Sequence, residues 1–500
     1  MRLMTLVGMA AEGFGDRVVV GGRTTGFTAA GVAARAGSGA ALVRERGADA
    51  IVYLAVNGPA FPVALFAADL AGVPLVPLNY RLGEQQLEAL LAKHPDALVI
   101  ADPRGLEHLR RCGRDGITPS EWLAETEADR GGVAADDADP DAVAVVIYTS
   151  GTTSEPKGVL LRHSNLVSYV LGSVEFASAG GEDAALVSVP PYHIAAVANV
   201  ITNLFAGRRS LVLEAFAPEE WLRSVREERV TSAMVVPTML ARIIESDADK
   251  AVPSLRSLAY GGAPMPGALI ERALTVWPEV GFVNAYGLTE TSSTITVLGP
   301  DEHRAALASE DPRVRARLAS AGRALPGVDL EIRDHEGRAL GPGRTGRICV
   351  RGAQVSAEYA GIGRAVDADG FFDTRDEGRL DEDGYLFIGG RVDDTIIRGA
   401  ENIAPAEIED VLLRHPAVTD AVVFGVSDEE WGQRVEAAVV IRAGASADEE
   451  ELRAFALRTL RSSKTPDRIW LLPELPRTET GKLLRRKMPE LVGSAPGAGD

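Results

Sequence analysis

The sequence predicts an α/β fold with a second, smaller unit at its C-terminal end. Three observations predict it. Between residues 51 and 102, short apolar runs alternate with helical stretches, the pattern of parallel strands joined by crossover helices. Apolar runs resume at residue 142 and recur to about residue 390. Beyond that point the pattern becomes a helix, two strands, a helix and a strand within about 100 residues, the size of a separate domain.

The elements follow in order. IVYLAV (51–56) reads as a strand, PVALFAADLAG (62–72) as a helix and VPLVPL (73–78) as a strand. EQQLEALLAKH (84–94) reads as a helix and ALVIAD (97–102) as a strand. Residues 127–141 are acidic and rich in Ala and Gly, and read as a surface connector. Strands are then expected at AVAVVIY (142–148), SAMVVP (232–237), SLAYGG (257–262), GFVNAYG (281–287), GRICVRG (346–352) and GYLFIGG (384–390). Pro405 opens a helix, PAEIEDVLLRH, at a position where its missing amide costs nothing. Strands AVVFGV and EAAVVIR, helix ADEEELRAFALRTL and strand RIWLL complete the small unit. The expected boundaries are 1–390 for the large domain, 391–394 for a connecting hinge, 395–490 for the small domain and 491–500 for a flexible tail.

The chain has 500 residues, and 52 basic against 71 acidic side chains give a formal charge of −19. At 46% hydrophobic and 25% charged it has the balance of a globular protein with a sizeable core. The acidic balance argues against a nucleic-acid binder or a protein held on anionic membranes, since both need a basic surface. The basic residues are lopsided. Lys93, Lys157, Lys250, Lys464, Lys482 and Lys487 are the six lysines, and arginine supplies the other 46. Lysine is a compact point charge and arginine a planar fork, so the places where this chain still uses lysine are informative. Cys112 and Cys349 are the two cysteines, far apart, and imply neither a disulfide framework nor a cysteine-based zinc site. The apolar stretch from Ile51 to Leu78 is broken by Asn57, Asp69 and four prolines, so no membrane span is expected. The N-terminal apolar run is too short for a signal peptide, and a cytoplasmic location is expected.

The most specific string is Tyr148-Thr-Ser-Gly-Thr-Thr-Ser-Glu-Pro-Lys-Gly158. A buried strand runs into a loop of hydroxyls, glycines and one lysine, which can turn backbone amides and hydroxyls toward an anion. It is not a Walker A loop, because that order of Gly, Lys and Ser/Thr is absent. The string resembles the phosphate loop of the adenylate-forming superfamily of acyl-CoA synthetases, peptide-synthetase adenylation domains and luciferases. Other segments match in order. Ala285-Tyr-Gly-Leu-Thr-Glu290 resembles that family's Y-G-x-T-E motif, and Phe372-Asp-Thr-Arg-Asp376 its T-G-D motif. Gly390-Arg-Val-Asp-Asp394 resembles its G-R-x-D hinge, and Pro476-Arg-Thr-Glu-Thr-Gly-Lys482 its terminal P-x-x-x-x-G-K motif. The match covers nearly the whole chain and is nearest to acyl- and aryl-CoA ligases. It implies a large N-terminal domain of stacked mixed β-sheets with flanking helices and a small, mobile α+β C-terminal domain.

The resemblance implies a chemistry as well. A carboxylic acid attacks the α-phosphate of ATP, giving acyl-AMP, and a thiol then takes the acyl group. The cofactors are ATP (bound as AMP later in the cycle), Mg²⁺ and coenzyme A. By that correspondence Thr149, Ser150, Gly151, Thr152, Thr153 and Lys157 hold phosphates, Thr289 contacts the α-phosphate and Glu290 holds Mg²⁺. Gly261, Gly262, Ala263, Pro264 and Tyr286 shape the adenine slot, and Asp376 and Arg391 bind the ribose region. Lys482 bridges the carboxylate and the α-phosphate, and Asp393 is the hinge. Gly399, Trp431 and Lys464 fall in segments that face coenzyme A. By residue type alone Glu290 is an ordinary polar residue after a strand, Arg391 an exposed ion-pair partner and Trp431 a core tryptophan. The segment 461–487 carries eight basic residues against three acids, which fits a phosphate-facing surface.

The acyl pocket is expected from Tyr192, His193, Ile194 and Val197, from Val236, and from Tyr260, Gly261 and Asn284. His193 is either a contact to the substrate carboxylate or a satisfied core histidine. No acidic residue stands in the first of these segments to pair an α-amine, which disfavours an amino acid. The apolar walls favour a fatty, aromatic or polycyclic acid. Four departures from the family pattern stand out: Ser154, Arg375, Ala400 and the turn Ser463-Lys464-Thr465-Pro466. Arg375 replaces a glycine beside Asp376, where it is expected to pair with that carboxylate or intrude on the nucleotide. Three readings therefore stand together: a complete acid:CoA ligase, a ligase loading a carrier-protein thiol, and an enzyme working mainly on acyl-AMP supplied by a partner. A silent binding protein on the same fold is a further reading, disfavoured by the retained Lys157, Glu290, Asp376, Arg391 and Lys482.

Overall fold

A computed structural model of the chain describes residues 1–128, 130, 139–149, 156–391, 394–398, 401–428, 431–477 and 483–493. Two large sheets enclose a layer of helices. The first has seven strands, ordered Gly363–Arg364, Glu358–Tyr359, Lys157–Arg162, Val143–Thr149, Leu75–Pro77, Ile51–Leu54 and Leu98–Ala101. The last four run parallel, as the alternating pattern implies. Lys157–Arg162 then folds back antiparallel on Val143–Thr149 and makes the sheet mixed. The second sheet has nine strands and runs from Arg323–Ala324 through Gly281–Leu288 and Ser257–Gly261 to Phe27–Thr28.

The helices Leu3–Phe14, Ala29–Glu45, Ala60–Ala71 and Ile194–Ala206 pack in one core with Ile51, Tyr53, Val145 and Ile147 of the first sheet and Val187 of the second. Residues 60–70 are buried all round, which explains their apolar composition, broken by the Arg2-paired Asp69, without a membrane. Among the described residues no helix is long and apolar enough to cross a membrane. Strand residues alternate between cores. Val187 faces these helices, while Leu186, with Val235, Leu258 and Phe282, faces a second core with Trp221 and Trp277.

A third sheet, Val328–Arg333, Gly346–Gly352, Phe372–Leu380 and Leu386–Arg391, is antiparallel throughout. It leads to the C-terminal unit, where Val418–Asp428 pairs antiparallel with Gly432–Ile441 and Arg468–Leu471 adds a parallel strand. Val423, Val435, Ala437 and Ile469 face the helices Pro405–Leu413 and Glu449–Leu457. Val422, Phe424 and Ala438 face the helix Met488–Gly493. That helix corrects the expected start of the tail at residue 491, because Val492 is buried in the small core. Residues 131–138 of the acidic connector lie outside the described residues.

Part of the basic run at 461–487 is paired within the fold. Arg477 pairs with Asp420, Lys464 with Glu407, and Arg485 with both Asp394 and Glu409. Arg468 stacks 3.7 Å from the Trp470 ring. These four cations are held by neighbours in the C-terminal unit or in the segment entering it, so part of the local charge excess is neutralised within the fold.

Candidate active site

The strands Gly281–Leu288, Phe372–Leu380 and Leu386–Arg391 converge on one carboxylate. Asp376 is buried, and Tyr286 Oη donates to its Oδ2 at 2.6 Å while Arg391 Nη1 donates to its Oδ1 at 3.2 Å. Arg391 is also its register partner across the strand pair. Thr374 Oγ1 accepts the Asp376 amide and donates to the Ile348 carbonyl, fixing the backbone below. Burial and the facing carboxylate hold the Tyr286 phenol well above its ordinary range, so it remains a donor. Tyr286 reaches this point through a break in register at Tyr286/Gly287. A side chain at Gly287 would collide with the Ser293 carbonyl, so the bulge requires glycine. Upstream, a Cβ on Gly261 would press on the Ala285 carbonyl, and Gly262 has φ +79°, so the strand turns out of the sheet here through two glycines. The exposed Gly262 and Pro264 and half-buried Ala263 follow on this turn.

A second carboxylate stands on the tight turn Thr289–Thr291 that follows the same strand. Tyr359 Oη donates to Glu290 Oε1 at 2.9 Å, and the Ala357 amide donates to the Glu290 carbonyl at 3.0 Å. Lys157 Nζ lies 5.9 Å from the Tyr359 ring centroid. Tyr359 is held there because its neighbours dock on the hairpin: Arg162 grips Glu358 through two nitrogens at 2.7 and 2.8 Å, and Ser356 Oγ donates to the Leu160 carbonyl. Burial and Glu290 push the Tyr359 phenol up. Sequence reasoning missed Tyr359, a lone aromatic in a polar stretch. It also missed that Lys93 sits over the Tyr148 ring at 5.5 Å and that His94 Nε2 and Tyr148 Oη are 2.9 Å apart.

Thr149 and Lys157 are register partners and close the two ends of the loop between them. Ser150, Gly151, Thr152, Thr153 and Ser154 lie outside the described residues, as do Asp393, Gly399, Ala400 and Lys482. Thr289 opens the turn that carries Glu290, and its carbonyl accepts the Ser292 amide. Trp431 is exposed, with the Arg398 guanidinium 5.8 Å from its ring. Lys464 ion-pairs with Glu407 at 2.5 Å.

Tyr286 and Arg391 both hydrogen-bond the Asp376 carboxylate. The Arg375 side chain is exposed and its amide donates to Asp373 Oδ1 at 2.8 Å. Its charge reaches the Tyr359 phenol, on the Glu290 side. Its backbone is left-handed, φ +61°, the conformation that favours glycine. Ser292 (φ +55°), Ser293 (φ +95°) and Ala357 (φ +48°) share the feature, so four of the six such non-glycine residues among the described residues surround the two carboxylates.

The expected acyl pocket is partly corrected. Val197 and Tyr260 have no exposure, so no water-sized space touches them. Val197 belongs to the helical core, and Tyr260 Oη lies 2.8 Å from His303 Nε2 inside the second core. Ile194 is nearly buried, Val236 half-buried, and Asn284 donates to the Ser320 carbonyl. Tyr192 packs edge-on against Tyr80 at 5.6 Å and lies 4.8 Å from the His193 ring. His193 caps the helix Ile194–Ala206 by position, and its Nε2 is buried with no hydrogen-bond partner among the described residues. Burial alone pushes its pKa down to about 4. His163 is also held near 4, mainly by burial.

The chain matches the family model described as AMP-binding enzyme over residues 8–360, and that of the AMP-binding enzyme C-terminal domain over 407–482. It is 34% identical over 474 residues to a feruloyl-CoA synthase of an Amycolatopsis species, covering 92% of each chain. It is 34% identical over 460 residues to the fatty acid–[acyl-carrier-protein] ligase ScoC of Streptomyces coeruleorubidus, covering 88% of this chain and 86% of the relative. Its fold superimposes on Bacillus subtilis o-succinylbenzoate CoA synthetase in complex with its acyl-adenylate intermediate, with TM-score 0.83, 28% identity and 97% of both chains covered. ATP-bound MatB from Rhodopseudomonas palustris gives TM-score 0.86, 27% identity and 99% coverage of both chains.

Two outcomes are expected from this geometry. Arg375→Gly relieves a left-handed non-glycine residue and should stabilise the protein by about 1 kcal/mol. Pyrophosphate release from ATP should change less than about threefold, well under the loss of one transition-state donor; a larger rise would mean that Arg375 obstructs the nucleotide. His163 and His193 have folded pKa values lowered to about 4 from 6.5, so the unfolded chain binds more protons between those values. Their stabilisation is complete above pH 6.5 and is lost as pH falls toward 4. The Tm of His193→Asn should therefore fall less steeply between pH 6.5 and 4.5 than that of the unchanged protein, and parallel curves would contradict a neutral His193.

Proposed function

The chain belongs to the AMP-binding enzyme family, and from that premise we propose that it is an acid–thiol ligase that joins a hydrophobic carboxylic acid to coenzyme A through an acyl-AMP. The observation that carries this reading is the pair of held carboxylates, Asp376 and Glu290. Each is gripped from the protein side by a buried or half-buried tyrosine. Asp376 then presents acceptor capacity to ribose hydroxyls, with Arg391 beside it. Glu290 is a half-exposed oxygen donor held by one oxygen, which suits a hard cation such as Mg²⁺. When bound, the ion neutralises phosphate charge.

In this reading the loop Thr149, Ser150, Gly151, Thr152, Thr153 and Lys157 cradles the outer phosphates, and Thr289 meets the α-phosphate. Gly262, Ala263 and Pro264 let backbone approach adenine. Lys482 bridges the acid and the α-phosphate. A carboxylate oxygen attacks phosphorus and pyrophosphate leaves, so the residues act mainly by positioning and by neutralising charge. A thiolate then attacks the acyl carbon and AMP leaves. Asp393 is the hinge about which the C-terminal unit turns between the two steps, removing Lys482 when the thiol enters. Gly399 and the exposed Trp431 face the thiol ligand. Lys464 joins them only by leaving Glu407.

The half-buried His193, held neutral with its Nε2 out of water, offers the acid a hydrogen bond rather than a charge, and the Tyr192 ring packs beside it. A fatty or aromatic acid fits this best, and the feruloyl-CoA and fatty-acid relatives support that class. A second reading, transfer to a carrier-protein thiol, is favoured by the ScoC relative. Arg375 is exposed on a left-handed turn beside Asp376, and the third reading, an enzyme fed with acyl-AMP by a partner, would show as turnover of synthetic acyl-AMP without matching turnover of ATP. The use of ATP and coenzyme A as substrates supports a cytoplasmic location.

The test is mass spectrometry on a panel of acids with ATP and Mg²⁺, and with synthetic acyl-AMPs, each with and without coenzyme A. Aromatic or medium- to long-chain acids should give acyl-CoA and AMP. Acyl-AMP that accumulates with coenzyme A present and discharges only onto a carrier protein would support the second reading. Lys482→Ala should slow pyrophosphate release by ~10²-fold or more, the scale of one lost transition-state donor. It should leave thioester formation from acyl-AMP unchanged, and unchanged adenylation would remove Lys482 from the mechanism.

A further inference from the structure

Away from the two carboxylates, two helices bring three metal-ligating side chains together. Glu88 lies on the helix Glu84–Leu91, His108 lies on the helix Pro103–Arg111, and Cys112 is the cap of that second helix. Residues four apart share one helix face, so His108 and Cys112 project together toward Glu88. Cys112 Sγ is 3.5 Å from Glu88 Oε1 and 3.8 Å from His108 Nε2, and all three ligand atoms lie within 4.8 Å of one another. The imidazole is buried, whereas Glu88 and Cys112 are exposed, so the array is anchored on one side and open to water on the other. The two helices are held at this spacing independently of it. Arg111 pairs with Glu84 at 2.6 Å, and Arg114 donates to the carbonyls of Leu91 and His94, each at 2.7 Å.

The two separations from Cys112 Sγ, 3.5 and 3.8 Å, lie close to a tetrahedral edge. Zinc bonds of about 2.3 Å to sulfur and about 2.0–2.1 Å to nitrogen or oxygen put neighbouring ligand atoms about 3.4–3.6 Å apart. We propose that Glu88, His108 and Cys112 form a site for a borderline divalent transition-metal ion of the zinc class, with water in the fourth position. Binding breaks the Sγ–H bond, forms an Sγ–metal bond and releases one proton to solvent, with no change of oxidation state. The thiolate and imidazole select zinc over magnesium, so the site is chemically distinct from Glu290. An ion here cross-links the two helices in the folded chain and stabilises that state by mass action.

The experiment is titration of the metal-free full chain with Zn²⁺ against a chromophoric chelator, together with Co²⁺ substitution. The expected result is one ion per chain at this site, a raised Tm and a thiolate-to-cobalt charge-transfer band. Cys112→Ser and Glu88→Gln change exposed side chains and should leave the fold intact. Each should weaken zinc binding by about tenfold or more, and Cys112→Ser should abolish the cobalt band. Absence of stoichiometric binding, equal affinity in both variants, or a cobalt spectrum without the thiolate band would overturn the proposal.

Discussion

The Asp376 carboxylate is the constraint on which the site depends. It ties the strand Gly281–Leu288 of the nine-stranded sheet, through Tyr286, to the third sheet, through Arg391. A buried polar group left without its partner costs about 1–3 kcal/mol, and a charged one more, so these strands cannot drift apart cheaply. Arg391 is the last residue of its strand and stands where the chain leaves for the C-terminal unit. The carboxylate is oriented before any ligand arrives, which removes an ordering cost from binding. The bulge at Gly287 and the left-handed residues around Glu290 are local strain that this packing sustains.

Charge counts along the sequence mislead where the fold pairs the charges. The basic excess at 461–487 reads as a surface for phosphates, yet Arg477, Arg485 and Lys464 are held by acids that arrive from elsewhere in the C-terminal unit or from the segment entering it. Lys157 is different. It stands on the edge of the hairpin beside Tyr359 and Glu290, where an anion would meet it. The use of lysine in a chain that strongly prefers arginine is therefore informative at Lys157, while Lys464 and Lys250 hold structural contacts to Glu407 and the Ser246 carbonyl.

The elements legible in the sequence are those whose apolar period matches one buried face, such as Ile51–Leu54, Ala60–Ala71 and Gly346–Gly352. Phe372–Leu380 is the counter-example. Only its ends are apolar, and pairing with neighbours on both sides makes it a strand. Asp376 and Glu290 were legible because they sit in ordered motifs. Tyr359 was not, because its place depends on Arg162 and Glu358, residues distant in sequence. Val197 and Tyr260 were misplaced for the converse reason: residue type does not tell which face of a helix or strand meets a pocket and which meets a core. The Arg375 departure was visible, but its backbone consequence was not, because only the structure shows it in a left-handed turn.

In the proposed reaction Asp376, Glu290 and the nucleotide-facing residues serve one step, attack of an acid oxygen on the α-phosphate. The most direct measurement uses an accepted acid labelled with ¹⁸O in both carboxylate oxygens, incubated with ATP, Mg²⁺ and coenzyme A. Attack on the α-phosphate followed by thiol attack on the acyl carbon leaves one labelled oxygen in AMP and none in pyrophosphate. Label in inorganic phosphate with release of ADP, or AMP free of label, would contradict the account.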